Sequence, residues 1–310
     1  MTDFDEYINF GNPSKKKRRH TLGQPPSGCR HLNRILILVS IIFIVAVVFV
    51  CGLGNSIEIT TYEINSEKVS ESITLVFVSD LHSCKYGENA SELITEVKSL
   101  NPDVVLLGGD FFDDKLSPQS AQAFLDFSTK HYPTYYASGN HEYWSGQVDA
   151  LKQRVRDAGA KVLEAETDTL MLKGSTFVIG GVDDPTYIKN DSLEKQLNHV
   201  SEKIGSEQFS ILLSHRPELV NMYAKYDFDL ILAGHAHGGQ WRLPYILKQG
   251  IYSPYQGFLP KYTSGKFPVG KGIMIVSRGL SKESTRLPRL YNHPELVMVK
   301  LKPTNALSSR

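Results

Sequence analysis

Between Arg34 and Glu58 the chain carries no charged side chain. The run ILILVSIIFIVAVVFVCGL inside that interval shows no polar face at any period, so the stretch from Ile35 to Ser56 predicts a helix that spans a bilayer. A buried core helix is the competing reading, and the missing polar face weighs against it. Whatever follows Ser56 must then fold as a unit of its own. Lys15-Lys16-Lys17-Arg18-Arg19, Arg30 and Arg34 precede the span and no basic residue closely follows it. This asymmetry predicts a cytoplasmic N-terminus and an extracytoplasmic domain at the plasma membrane, in a single-pass arrangement. A cleaved signal peptide fits less well, because the apolar run exceeds the usual h-region and no A-x-A-like site follows. Cys51 comes after Val-Phe-Val, where a lipoprotein signal wants small residues. The basic run reads either as a nuclear signal or, beside a membrane span, as an anchor on anionic lipid.

Residues 1–34 are polar and basic and suit a cytoplasmic tail without a core. The whole chain of 310 residues has a formal net charge of +1, so nothing global implies a nucleic-acid partner. Cys29 and Cys51 lie before or inside the span, which leaves Cys84 alone in the outer part. No disulfide can therefore form there, and a lone thiol without an evident base is a weak nucleophile candidate.

From Ile57 onward, strands and helices alternate. ITLVFVSD, DVVLLGGD and PTYYASGN read as strands, with helices at ASELITEVKSL and near Ser117 to Lys130 between them. Strands near Phe177 to Gly180, Phe209 to Ser214, Asp229 to Ala233, Ile273 to Ser277 and Leu296 to Leu301 repeat the grammar more loosely. An α/β fold of two sheets packed face to face, with helices outside, is the expectation. No tandem repeat or low-complexity tract interrupts it.

Each apolar strand ends in polar residues able to hold a metal. The ends are Asp80-Leu81-His82, Gly109-Asp110 with Asp113, Gly139-Asn140-His141-Glu142, His215, and Gly234-His235-Ala236-His237. Singly these are ordinary features: a turn, a helix cap, a hydrogen-bonded neutral ring. Together they matter more, because strand carboxyl ends in open α/β sheets converge on one crevice.

DLH, GGDFFD, GNHE, a lone SH and GHAH, in that order, resemble the five blocks of the calcineurin-like metallophosphoesterases over about Ile57 to Leu301. GHAHGGQWRLP and SRGL further resemble a membrane-tethered branch of that family. The resemblance implies a two-sheet β-sandwich flanked by helices, behind an N-terminal transmembrane helix. With the tail (1–34) and span (35–56) read from charge and hydropathy, it leaves a metallophosphoesterase domain (57–302) and a C-terminal tail (303–310). It implies two metal ions, one held by Asp80, His82, Asp110 and His237, the other by Asp110, Asn140, His215 and His235. Asp110 would bridge them, with Asp113 and Asp114 as its supporting residues and a helix start. His141 resembles the histidine that assists the leaving group; its bland alternative is a ring oriented by Glu142 or Asp113.

Mixed imidazole and oxygen donors suit Mn, Fe, Zn or Co, divalent or trivalent, over Ca or a thiolate-held cluster. Two such ions about 3.5–4 Å apart can share a hydroxide and clamp an in-line displacement at phosphorus. The expected activity is hydrolysis of phosphomono- or phosphodiesters. Lipid-linked esters come within range because the domain is tethered beside a bilayer. The alternative is a noncatalytic scaffold, which the complete set of ligand positions disfavours.

From Gly238 to Gly272 no period is legible. The stretch holds Trp241, Tyr245, Tyr252, Tyr255, Phe258, Tyr262 and Phe267 among Lys248, Lys261 and Lys266. Two readings stand: an interfacial surface or lipid-phosphate pocket, and an irregular loop packed on the sandwich. Arg278, Arg286 and Arg289 are weak candidates for contact with substrate phosphate.

Overall fold

A computed structural model describes residues 27–185, 188, 192–243, 245–282 and 288–304, with side chains from residue 31. The run Lys15–Arg19, most of the basic tail, Arg286 and residues 305–310 lie outside the described residues. The chain divides into two units, Met1–Val48 and Phe49–Arg310. Helix α1 (Ser27–Cys51) contains the apolar run as far as Cys51. Its segment His31–Cys51 is long and apolar enough to cross a membrane, and its side chains are exposed. The helix stops at Cys51 rather than continuing to Ser56. Gly52 and Gly54 follow, and a side chain at Gly52 would strike Leu290 and Tyr291, so the chain leaves helical geometry against the globular unit.

That unit opens with β1 (Glu58–Ser66) and β2 (Ile73–Val78), then α2 (Ser91–Leu100), β3 (Val104–Gly108), α3 (Gln119–His131) and β4 (Thr134–Ala137). Next come α4 (Asn140–Trp144), α5 (Val148–Asp157), β5 (Lys161–Val162), β6 (Thr167–Leu172), β7 (Ser175–Gly181) and α6 (Leu193–Ser201). The remainder is β8 (Phe209–Leu213), α7 (Val220–Tyr223), β9 (Leu230–Ala233), a short hairpin of β10 (Tyr252–Ser253) and β11 (Gly257–Phe258), β12 (Gly265–Val269), β13 (Gly272–Val276) and β14 (Glu295–Pro303).

Two six-stranded sheets result, ordered β1-β14-β2-β3-β4-β5 and β12-β13-β9-β8-β7-β6. β2 to β5 run parallel, as do β7, β8, β9 and β13. The period of two in a strand sorts the side chains between layers. Leu75 and Phe77 of β2 face Phe177, Ile179, Phe209 and Ile211 across the sandwich. Val76 and Val78 point the other way, onto Leu93 and Val97 of α2 and Phe124 of α3. The second sheet does the same with Leu212 and Ile231 under Leu197 and Val200 of α6. Strands buried on both faces carry continuous apolar runs. The two-sheet α/β architecture expected from the sequence is borne out.

Two local expectations are corrected, and the reading of Cys84 as a weak nucleophile candidate fits its surroundings. Asp113 and Asp114 do not open a helix: Asp113 Oδ1 accepts from the N–H groups of Lys115 and Leu116 in a turn, and α3 begins at Gln119. The stretch read as lacking any period contains β10, β11 and β12, the last paired antiparallel with β13. Its strands are short, or alternate around Gly265 and Pro268, which hides the period. Cys84 is buried and accepts from Lys282 N at 3.3 Å, as a core thiol does.

Candidate metal centre

The parallel strands β2, β3, β4, β8 and β9 all deliver their carboxyl ends to one crevice, and the loops there turn abruptly. Asp80, His82, Asp110, His235 and His237 all adopt left-handed φ values between 46° and 65°. Such backbone costs a non-glycine residue on the order of 1 kcal/mol or more. Cross-loop hydrogen bonds hold it in place: Asp80 N to Gly109 O at 3.0 Å, His82 N to Asp110 O at 2.8 Å, and His235 N to Asp80 Oδ1 at 2.8 Å. Gly109, at φ 86°, is required because a Cβ there would sit 2.6 Å from the His215 ring.

Asp80, His82, Asp110 and His237 each offer a donor atom, all within 4.8 Å of one another. Asp110, His215 and His235 form a second such group, so Asp110 belongs to both. Asn140 heads α4, and its buried side chain lies beyond Gly139, which packs against Asp110. The backbone N–H of His141 donates to Asp110 Oδ1 at 2.8 Å. Six of the seven residues nominated from the sequence fall in these two groups, Asn140 lies between Gly139 and His141 next to them, and His141 stands at the edge with 19% of its side chain exposed.

The donors suit cations. His215 Nδ1 donates to Gly108 O at 3.1 Å, which leaves Nε2 directed at Asp110 Oδ2, 3.0 Å away. A lone pair cannot face a carboxylate so closely without a proton or a cation between them. His82 repeats the pattern: Nδ1 is 3.1 Å from Asp113 Oδ2, and Nε2 is 3.6 Å from Asp110 Oδ2. Fixing one ring nitrogen on an acceptor while the other faces inward is how ligating histidines are oriented. His82 Nε2, Asn140 Oδ1 and His237 Nδ1 are buried without hydrogen-bond partners. Atoms left so cost free energy unless something else satisfies them.

The charges agree. Burial works against charge on every group here, yet the surrounding carboxylates Asp110 and Asp80 push His215 up to about 10. His215, His82 and His141 in turn overcome burial at Asp110 and hold it well below the usual carboxylate range. Burial, then His215 and Arg216, drives His235 down, and burial with His82 does the same to His237. Those two rings are neutral, the form a metal requires.

Three supporting residues were not assigned their roles from sequence. Glu142 is fully buried and accepts from four backbone N–H groups, those of Asp110, Phe111, Phe112 and Gly139. It fixes the loop carrying Asp110 and does not orient His141. Asp184 receives Arg216 through Nε at 2.5 Å and Nη2 at 3.0 Å, and Arg216 Nη1 reaches His235 Nε2 at 3.0 Å. The signal was present: Asp183-Asp184 follow the end of β7 as the other polar pairs follow theirs, and Arg216 adjoins His215. Of the arginines suggested for phosphate, Arg278 pairs with Glu58 and Glu295 and is not free. Arg289 is buried against the carbonyls of Ser281 and Arg278.

The sequence matches the calcineurin-like phosphoesterase family over residues 73–239. It is 30% identical to the uncharacterized metallophosphoesterase YkuE of Bacillus subtilis, over 81% of this chain and 87% of that protein. An uncharacterized metallophosphoesterase of Campylobacter jejuni is 27% identical over 87% of this chain and 70% of its own length. A zebrafish transmembrane protein with a metallophosphoesterase domain is 30% identical over 64% of this chain and 49% of its own. The chain belongs to the calcineurin-like phosphoesterase family, and the resemblance carried by its motifs is borne out. It is a metallophosphoesterase by family, with clustered Asp and His side chains of the kind such proteins use to bind metal.

Proposed function

We propose that the protein is a dinuclear metal-dependent hydrolase of phosphomono- or phosphodiesters, working at a membrane surface on esters that include lipid-linked ones. Asp80, His82, Asp110 and His237 hold one ion; Asp110, Asn140, His215 and His235 hold the other. The observation that carries this reading is the sharing of Asp110 by two donor groups, beside which buried atoms of His82, His237 and Asn140 have no hydrogen-bond partner. Ions bound there would supply Lewis acidity and positive charge to an in-line displacement at phosphorus. Manganese, iron, zinc and cobalt all suit these donors.

The chain's own groups supply the rest. His141 keeps a proton at the edge of the crevice and gives it to the departing oxygen, a role for which imidazole is well matched. Asp114 and Asp113 orient that ring. Glu142 keeps Asp110 in place, and the Asp184–Arg216 pair braces His235. The apolar helix anchors the domain, with the basic N-terminus in the cytoplasm and the crevice outside the plasma membrane.

Purified full-length protein supplied with Mn should hydrolyse bis-p-nitrophenyl phosphate and lose that activity to chelator. Folded, metal-loaded protein that turns over neither mono- nor diesters would make the domain a binding scaffold instead.

A further inference from the structure

Just beyond His237 the chain builds a groove whose apolar walls take no part in displacement at phosphorus. Gly239, Gln240, Trp241, Ile251, Tyr252 and Phe258 enclose about 270 Å³ with almost wholly apolar walls. That is slightly below the size of a typical small-molecule pocket, which suits a length of flexible chain. The floor is tight: Ile251 N donates to Gly239 O at 3.0 Å and to Trp241 O at 2.9 Å. Around the rim, Tyr245, Ile246, Phe258 and Leu259 are exposed, Tyr245 by 95% and Phe258 by 79%. Clusters of this kind on a globular unit mark a surface that is covered in use.

Two attachments indicate what covers it. The first is to the apolar helix. Trp241 meets Phe49 edge to face, with ring centroids 6.4 Å apart. Tyr291 N donates to Gly52 O at 2.7 Å, and Arg242 N donates to Leu290 O at 2.9 Å. Within the globular unit, Phe49 and Gly52, where the apolar run ends, and the wall of the groove are thus fastened to the same segment. If the apolar run crosses a bilayer, its last residues, Phe49 to Gly52, end near the polar–apolar boundary, the depth that Trp and Tyr favour. Lys248 and Lys261, exposed on the same stretch, suit lipid phosphate groups at that depth.

The second attachment is to the metal centre. Tyr255, at the tip of the β10–β11 hairpin, lies with its ring centroid 5.6 Å from that of His235 and 4.3 Å from the guanidinium carbon of Arg216. One hairpin therefore lines the groove with Tyr252 and Phe258 and reaches the ligand cluster with Tyr255.

We propose that this groove holds the hydrocarbon chain of a lipid phosphoester whose phosphorus lies at the Asp110 cluster, while the rim residues sit in the bilayer interface. The hydrocarbon end stands on the groove itself, and the phosphorus end rests on the hydrolase reading above.

Full-length protein should be assayed with alkyl p-nitrophenyl phosphodiesters from methyl to octyl, below their micelle concentrations. Burial of each methylene predicts a rise in kcat/KM of up to about fourfold per carbon until the groove is filled. Phe258→Asp combined with Tyr252→Ser should flatten the series and leave turnover of the methyl ester within about twofold of the parent. A flat series in the parent, with normal methyl turnover, overturns the groove and spares the hydrolase. If no ester is turned over, the hydrolase reading fails and binding decides the groove. Trp144→Phe leaves Trp241 as the single tryptophan of the two. Nitroxide-labelled decyl phosphate should then quench its emission saturably in chelated protein, and Phe258→Asp should abolish the saturable part. Equal quenching in both variants overturns the proposal, as does dimerisation that hides Trp241 from the probe.

Discussion

His141 Nδ1 lies 2.7 Å from Asp114 Oδ1, and the same acidic turn presents Asp113 Oδ2 at 3.5 Å. Burial pulls the ring's proton affinity down, but Asp113, Asp110 and Asp114 overcome it and raise His141 to about 9 in the absence of metal. The ring therefore carries a proton at neutral pH, and bound cations would bring that value back toward the working range. His141→Ala should lower kcat by about 10²- to 10⁴-fold, most for poor leaving groups, with metal content unchanged. Asp114→Asn removes one carboxylate that favours the protonated ring. Its pH–kcat profile should lose the proton-donor form at lower pH, moving the basic limb toward acid. A basic limb that stays in place in Asp114→Asn, or metal lost from His141→Ala, counts against the assignment.

Asp110 and Asp113 should separate in a metal titration. Asp110 is common to both donor groups, so Asp110→Ala should empty both ion positions and abolish measurable turnover. Asp113 meets His82 and His141 and belongs with them to a further donor group that lacks Asp110. Asp113→Ala should weaken metal affinity by about 10- to 100-fold, the usual cost of losing the acceptor behind a ligating histidine, and excess metal should restore activity. Metal content by plasma emission after dialysis, set beside rates at low and high Mn, tells the two apart. Recovery of Asp110→Ala at high Mn would remove its bridging role.

The sequence disclosed the crevice better than its supports, for a physical reason. β2, β3, β8 and β9 are buried on both faces, so their apolar runs end abruptly in polar residues and each end is conspicuous. β1 and β6 are edge strands with mixed exposure, and nothing in their composition separates them from loops. Glu142 was legible as a carboxylate near the site, but which groups it holds depends on the left-handed turn at Asp110. No local period encodes that turn. The Asp184–Arg216 pair joins the ends of two strands far apart in sequence, and only the parallel pairing of β7 with β8 brings them together.

Proton and metal should compete measurably at His215. Its raised value near 10, against about 6.5 in the unfolded chain, means that in chelated protein its charged form contributes stability fully below about pH 6.5. That contribution disappears as pH rises through 10. Asp110, depressed in the folded state, gives the opposite dependence, with stability lost as pH falls through the acid range. Metal uptake must displace the proton from His215, so apparent affinity should rise by about tenfold per pH unit for each proton released, up to the region of pH 10. The metal-induced rise in Tm should accordingly grow between pH 6.5 and 9 while the chelated protein loses Tm. An increment independent of pH would show that no imidazole proton is displaced.

The proposed orientation can be tested with the chain intact. Arg34 and the basic residues before it stand on one side of the apolar run, whereas the first charge on the other side is Glu58. Lys and Arg beside a span hold their end in the cytoplasm, which sends the globular unit outward. The globular unit itself begins by Phe49, with Tyr291 N donating to Gly52 O and Gly54 close against His293. Protease added to intact cells should therefore cut exposed loops of the domain, and the fragment retained should carry the basic tail. A cysteine-reactive, membrane-impermeant reagent gives a second readout: a probe thiol introduced by Ser206→Cys, on an exposed turn, should be labelled in intact cells, whereas Ser14→Cys in the tail should be labelled only after permeabilisation. Labelling of Ser14→Cys with the membrane sealed would reverse the topology and turn the crevice toward cytoplasmic phosphoesters.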